Sequence, residues 1–168
     1  MASNPPERPP VPASVEEAER TIRNQKFETV HVWGADGVYR FGKNGEASKV
    51  TMTDTEIAMV ADSLFIHNHP SDYSFSDADI KFIAYANPME FRAVGPQKRF
   101  SIIRPATGWP NDLYDEWLKC FRTCYLRYRK EFRYGKIKSE SELSRRTYSD
   151  AMKRFTSAWN VEYRGENF

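Results

Sequence analysis

Two histidines, a serine and an aspartate lie within one short stretch of this 168-residue sequence. His67 and His69 follow one apolar run, and Ser76 and Asp79 precede another. Two neutral imidazoles and one carboxylate can hold a zinc ion and leave its fourth tetrahedral position for water, an arrangement typical of catalytic zinc. The residue types and their spacing therefore predict a metal centre with His67, His69 and Asp79 as ligands.

The elements around these residues would bring them to one place. Leu64-Phe65-Ile66 indicates a buried strand, and because side chains alternate along a strand, His67 and His69 point to the same face. Ser76 and Asp79 form a capping pair that is typical of a helix start. A helix cap alone would also explain Ser76 and Asp79, but the two histidines just upstream favour the metal site.

This run resembles the signature of the JAB/JAMM (MPN) metalloproteases, which pairs His-x-His with a downstream Ser-x-x-Asp. The segment His67-Asn68-His69-Pro70-Ser71 is most similar to the RadC branch and to the JAB-like domains attached to phage head-morphogenesis proteins. Six residues separate His69 from Ser76, one fewer than is usual in the family, so we expect a tighter loop. The resemblance extends over about residues 27 to 104.

The resemblance implies that His67, His69 and Asp79 bind Zn²⁺. It also implies that Ser76 assists at the oxyanion of the reaction intermediate. A glutamate on an upstream strand would act as the general base, since the family requires one there.

Three glutamates are candidates for this base. Glu46 lies in a predicted turn, where a carboxylate normally faces water. Glu56 stands three residues after Thr53, which predicts a capping box at the start of a helix. Glu28 opens a strand predicted over residues 27–33, and this strand with its following turn resembles the start of RadC-like proteins. We therefore expect Glu28 to be the base, and the alternative is that Glu28 is a strand residue facing solvent.

Composition and length limit the class of protein. Apolar residues make up 40% of the chain, and no stretch approaches the roughly 20 apolar residues that cross a bilayer. The first residues lack the apolar segment of a secretory signal, so we expect a cytoplasmic protein with no membrane partner. Cys120 and Cys124 lie four residues apart in a helical pattern, and we expect reduced core or interface thiols there.

Hydrophobic periodicity predicts an α+β or three-layer α/β fold, and the family resemblance implies a JAB/MPN-like mixed sheet flanked by helices. Predicted strands cover residues 27–33, 38–41, 48–52, 64–66, 90–94 and 99–103. Predicted helices cover residues 15–24, 54–62, 77–86, 112–133 and 139–159. The expected organisation is a disordered proline-rich leader (1–13), a metal-binding domain (14–106) and a helical extension packed on that domain (107–168).

The last two predicted helices are strongly basic. Twelve Lys or Arg face four Asp or Glu between Lys119 and Phe155. Such a surface attracts polyanions or acidic proteins. Nucleic-acid binding is only weakly indicated, because the sequence has no RNA-binding or zinc-finger signature.

These features predict a zinc-dependent metallopeptidase or isopeptidase of JAMM type. Its substrate would be a polypeptide, and the resemblance suggests the C-terminal tail of a ubiquitin-like protein. A base deaminase is excluded, because its His-x-Glu and Pro-Cys-x-x-Cys motifs are missing. Two alternatives stay open: a catalytically silent JAB-like interaction module in a phage-related or effector assembly, and a polyanion-binding protein that uses its basic helices.

Overall fold

The computed structural model describes residues 7–70 and 72–168. These residues form five helices and six strands, which confirms the prediction of an α+β fold. Of the predicted leader, residues 1–6 lie outside the described part, and residues 7–13 form neither helix nor strand. The Glu7 carbonyl accepts a hydrogen bond of 2.9 Å from the Asn44 amide, so this end of the leader lies beside a strand.

The observed elements lie close to most of the predicted ones. The helices are α1 (Val15–Ile22), α2 (Asp54–Ala58), α3 (Asp77–Ala86), α4 (Leu113–Arg133) and α5 (Glu140–Ala158). The strands are β1 (Thr29–Trp33), β2 (Tyr39–Asn44), β3 (Leu64–Asn68), β4 (Glu90–Val94), β5 (Lys98–Ile103) and β6 (Glu162–Asn167).

Capping residues in the sequence set the helix starts. Ser14, Thr53 and Ser139 precede α1, α2 and α5, and the side-chain oxygen of each accepts a hydrogen bond from the amide three residues later. The Glu56 carboxylate also accepts a bond of 2.7 Å from the Thr53 amide, which completes the predicted capping box.

The six strands form one mixed sheet in the order β2-β1-β3-β4-β5-β6. β1 is antiparallel to β2 and β3, β3 is parallel to β4, and β4 is antiparallel to β5. β1 is buried along its whole length. The predicted turn between β1 and β2 is confirmed, with Gly37 at φ 76° and a 2.9 Å bond from the Gly34 amide to the Val38 carbonyl.

The chain divides into two compact units. The first comprises Met1–Tyr73, Ala86–Ile103 and Arg164–Phe168. On one face of its sheet, α1 packs against β1, β3 and β4 through an apolar cluster of Ala18, Ile22, Trp33, Ile66 and Val94. Burial of this cluster fixes β3 against its neighbours.

Helix α1 also carries a buried carboxylate, Glu19, which is 2% exposed. One of its oxygens accepts a bond of 2.8 Å from Arg92 of β4, and the other accepts one of 2.8 Å from Arg99 of β5. Two arginines thus compensate the charge that α1 buries against the sheet.

The second unit comprises Ser74–Tyr85 and Arg104–Tyr163. Its α4 packs on α5, and the fully buried Trp117 lies 6.3 Å from the ring of Phe155. The Trp117 indole N–H donates a bond of 2.7 Å to Asp77 at the start of α3. The aromatic spacing of the sequence therefore identifies a helical core. The predicted packing of residues 107–168 on a domain over residues 14–106 stays a prediction.

The structure corrects the predicted elements in four places. Residues 48–52 form no strand, and β2 continues to Asn44, three residues beyond its predicted end at residue 41. β6 is not among the predicted strands, because its residues are mostly polar and exposed. α2 ends at Ala58, four residues before the predicted end.

Two further expectations concern membranes and cysteines. No helix within residues 7–70 and 72–168 is both long and apolar enough to cross a membrane.

Cys124 is buried, Cys120 is half-buried, and both are reduced. Burial raises the pKa of both thiols, which disfavours the reactive thiolate. The two cysteines are packing thiols, as expected.

Candidate metal centre

Strand β3 carries both predicted histidine ligands near its end. His67 is paired with β1 on one side and β4 on the other, and it is 1% exposed. The strand ends at Asn68, but the His69 amide donates a bond of 2.8 Å to the Val94 carbonyl and continues the pairing. Because His67 and His69 are two residues apart in extended chain, they project from the same face of the sheet.

Two phenylalanines pack beside His67 on this face. Phe65 and Phe91 are opposite each other on β3 and β4, and their rings stack with centroids 4.8 Å apart. The His67 ring centroid lies 4.9 Å from that of Phe91 and 6.0 Å from that of Phe65. This apolar packing restricts the orientation of the imidazole and limits the access of water.

Backbone carbonyls fix the tautomers of both histidines. His67 Nδ1 lies 2.9 Å from the Arg92 carbonyl oxygen, and His69 Nδ1 lies 3.1 Å from the Tyr73 carbonyl oxygen. A carbonyl can only accept a hydrogen bond, so each Nδ1 carries the proton and donates it. In a neutral ring the lone pair then resides on Nε2, which is how metal-binding histidines are usually oriented.

The two Nε2 atoms face each other at 2.8 Å. Two nitrogens that both carry lone pairs cannot form a hydrogen bond with each other. At this separation both lone pairs can be directed at a single cation. The geometry of His67 and His69 therefore suits a cation ligand pair.

Ser76 and Asp79 form the start of α3 as predicted. The Ser76 amide and hydroxyl both donate to Asp79 Oδ2, at 2.7 and 2.8 Å, and the Asp79 amide donates to the Ser76 Oγ at 3.2 Å. This reciprocal pattern is a capping box with Asp in the place of Glu. Because Asp79 is only 9% exposed, these bonds hold a largely buried carboxylate in one orientation.

The structure brings the three predicted ligands together. One nitrogen of His67, one of His69 and one carboxylate oxygen of Asp79 lie within 4.8 Å of one another. Nitrogen and oxygen donors in this 2:1 ratio match the His₂-carboxylate set of catalytic zinc sites, in which water completes the coordination. The donor chemistry therefore fits a zinc ion.

Glu28 lies one residue before β1, where the sequence predicts it to open the strand. Its amide donates a bond of 2.7 Å to the Glu46 carbonyl, and its own carbonyl accepts one of 2.8 Å from the Gly45 amide. Val30 pairs with His67 and so shares its face of the sheet. Because residues two apart in extended chain point to the same side, we expect Glu28 on the face of the two histidines.

The other two glutamates have different surroundings. Glu46 is exposed, and its amide donates to the Lys49 carbonyl in a turn. Glu56 completes the α2 cap and forms an ion pair of 2.9 Å with Lys43. Burial opposes ionisation of Glu56, but the bonds from Thr53 and Lys43 outweigh it and lower the pKa of this carboxyl. A carboxylate that is stabilised in this way is a weak base.

Sequence reasoning missed the role of Asn68, which is fully buried between the two histidines. Its side-chain oxygen accepts a bond of 2.6 Å from the Thr29 amide, and its side-chain nitrogen donates one of 3.0 Å to the Phe27 carbonyl. These two bonds reach the residues immediately before and after Glu28 in the sequence. Asn68 thus holds the Glu28 backbone beside the histidine strand.

His31 lies on the opposite face of the sheet, because it pairs with Ile66 rather than with His67. It is 2% exposed, and its Nδ1 contacts the Tyr39 hydroxyl at 3.0 Å. Burial lowers the pKa of His31 to about 4. It is a neutral core histidine.

The chain was also compared with known proteins. No protein-family model matches it, no curated protein matches it, and no solved structure matches it.

Proposed function

We propose that this protein is a zinc-dependent hydrolase of JAB/JAMM type that cleaves a peptide or isopeptide bond. The observation that carries the proposal is the pair of Nε2 atoms of His67 and His69, 2.8 Å apart, with both Nδ1 atoms committed to backbone carbonyls. The nearby Asp79 carboxylate adds the third donor and a negative charge. The proposal includes a JAB/MPN-like fold. In support of it, an inner strand carries the histidine ligands, and the capped helix that follows carries the aspartate.

Zinc held by His67, His69 and Asp79 would lower the pKa of a coordinated water to about 7 and so supply a nucleophile at neutral pH. Glu28 would accept the proton of the attacking water and transfer it to the leaving nitrogen. Water adds to the substrate carbonyl, the C–N bond breaks, and the products are a carboxylate and an amine.

Ser76 has two proposed roles. Its observed hydroxyl bond to Asp79 orients a ligand, which is the role that outer-shell partners have in metal sites. The oxyanion role requires the hydroxyl proton to turn from Asp79 to the substrate oxygen in the transition state.

The proposed substrate is a polypeptide, and a ubiquitin-like protein with an accessible C-terminal tail is the candidate that the family resemblance implies. A cytoplasmic location belongs to the same proposal. The competing function is a catalytically silent interaction module, which would retain the metal and lack turnover.

The test compares Glu28→Gln with Glu46→Gln in zinc-loaded protein. Both variants replace one carboxylate by an amide of the same size, but we expect only Glu28 on the histidine face. With internally quenched peptide libraries and ubiquitin-like fusions as substrates, we expect hydrolysis by Glu28→Gln to fall by roughly 10²- to 10⁴-fold, with zinc retained. Equal activity of the two variants would refute Glu28 as the base. Zinc binding without cleavage of any substrate would instead favour the interaction module.

A further inference from the structure

The outward face of α4 carries a row of cations. Six basic residues between positions 119 and 133 are exposed, and all but Arg127 lie on one side of the helix: Lys119, Arg122, Arg129, Lys130 and Arg133. At 100° and 1.5 Å per residue, they fall within an arc of about 100° and span about 21 Å. We call these five residues the α4 basic face.

The opposite side of α4 is buried. Leu113, Trp117, Cys124 and Tyr128 are the buried residues of this helix. Their contacts include the stacked rings of Trp117 and Tyr148, 6.2 Å apart, which tie α4 to α5. Because α4 is fixed through this side, the α4 basic face is directed to solvent on a rigid element.

Few acidic groups compensate these charges. No Asp or Glu occurs between Trp117 and Glu131 in the sequence. Lys119 pairs with Glu116, and Arg129 donates to the Tyr125 hydroxyl. Within the described part of the chain, Arg122, Lys130 and Arg133 have no ion pair. Their charges are therefore available to an external anion.

We propose that the α4 basic face binds the phosphate backbone of nucleic acid. Three of its five residues are arginines, whose planar guanidinium groups match phosphate oxygens better than lysine does. The five cations form one row along the helix axis, and such a row can lie along the negative charges of a phosphate backbone. Exposed Leu126 in the middle of the face and Tyr134 just after it, 62% and 72% exposed, can contact sugars or stack on bases.

An anionic membrane fits this helix less well. A helix that lies in a lipid interface inserts its apolar side among the acyl chains. In α4 the apolar side is already buried in the protein, with Trp117 at 0% and Tyr128 at 5% exposure. Only the charged side is available, and that side suits a hydrated polyanion.

The experiment titrates the full chain against fluorescein-labelled DNA, as single strands and as duplexes of about 20 base pairs, and follows anisotropy between about 50 and 200 mM NaCl. The test variant is Arg122→Gln/Lys130→Gln/Arg133→Gln. The matched control is Lys26→Gln/Lys49→Gln/Lys98→Gln, which changes the net charge equally at exposed lysines outside α4. Circular dichroism melting shows whether both variants are folded.

We expect the wild-type chain and the control to bind alike. The test variant should bind about ten-fold or more weakly at low salt, and its slope of log K against log [NaCl] should be shallower by about 2 to 3, because three phosphate contacts are lost. Equal weakening of both variants, or no binding by the wild type at low salt, would overturn the proposal. It would also be overturned if the chain bound phosphatidylserine vesicles and did not bind the DNA.

Discussion

The side-chain oxygen of Asn68 accepts a hydrogen bond of 2.6 Å from the backbone amide of Thr29. This bond joins the residue between the two histidines to the residue after Glu28. It takes the place of the backbone pairing between β1 and β3, which ends at Val30 and His67. One buried side chain therefore holds the backbone around Glu28 to the strand of the two histidines.

Replacing Asn68 with Ala should lower the free energy of unfolding by about 2 to 4 kcal/mol, because the Thr29 amide and the Phe27 carbonyl both lose a buried partner. Urea denaturation measures this change. Asn24→Ala, at an exposed residue after α1, is the control and should be close to neutral. Equal effects of the two substitutions would contradict the role of Asn68.

Ser76→Ala should affect both stability and metal affinity. Loss of the α3 cap should cost about 1 kcal/mol, and loss of the bond to Asp79 should weaken zinc binding by about 10- to 100-fold. Ser139→Ala removes the corresponding cap of α5 and serves as the control for stability. If both variants bind zinc as the wild type does, Ser76 is a cap alone.

The buried carboxylate of Glu19 should be important for stability. Glu19→Gln leaves Arg92 and Arg99 without their shared counter-charge, so we expect the free energy of unfolding to fall by about 3 kcal/mol. Glu16→Gln, at an exposed position of the same helix, should change it little. Thermal and urea unfolding of the two variants measure the difference, and similar values would show that the ion pairs contribute nothing.

His31 predicts a specific pH dependence of stability. Its pKa in the folded protein, about 4, is below the ordinary value of 6.5, so the unfolded chain binds more protons between these two pH values. The contribution of His31 to stability is therefore complete above pH 6.5 and is lost as the pH falls to about 4, by about 3 kcal/mol in total.

The measurement is urea unfolding of the wild type and His31→Gln at intervals from pH 8 to about pH 4. The glutamine variant cannot gain this proton, so its stability should fall less steeply over the range. Parallel curves for the two proteins would show that His31 does not titrate in this way.

Sequence reasoning succeeded where a local signal decides the structure. α3 and β4 have the predicted bounds, and the Ser76 and Asp79 capping pair is formed as expected. In these segments hydrophobic periodicity and capping chemistry indicate the same element. The close approach of His67, His69 and Asp79 was predicted from the same local signals and from the family resemblance.

The errors arise where long-range contacts decide the structure. The residue types at positions 48–52 favour a strand, but a strand needs a neighbouring strand to pair with. Within the described residues, this segment pairs with no strand of the sheet. β6 is the opposite case. Its polar residues show no hydrophobic periodicity, but it has a neighbouring strand, β5, and so forms a strand. Asn68 was missed because its two bonds reach residues about 40 positions away.

The central claim is that His67, His69 and Asp79 bind zinc, and equilibrium zinc binding to metal-free protein tests it most directly. Wild-type protein should bind one zinc ion per chain, and His67→Ala, His69→Ala and Asp79→Ala should each weaken the site by orders of magnitude. His31→Gln also removes a histidine, but from the other face of the sheet, and should bind zinc as the wild type does. The account would be contradicted if the wild type took up no zinc, or if the variants at positions 67, 69 and 79 bound it as tightly as His31→Gln.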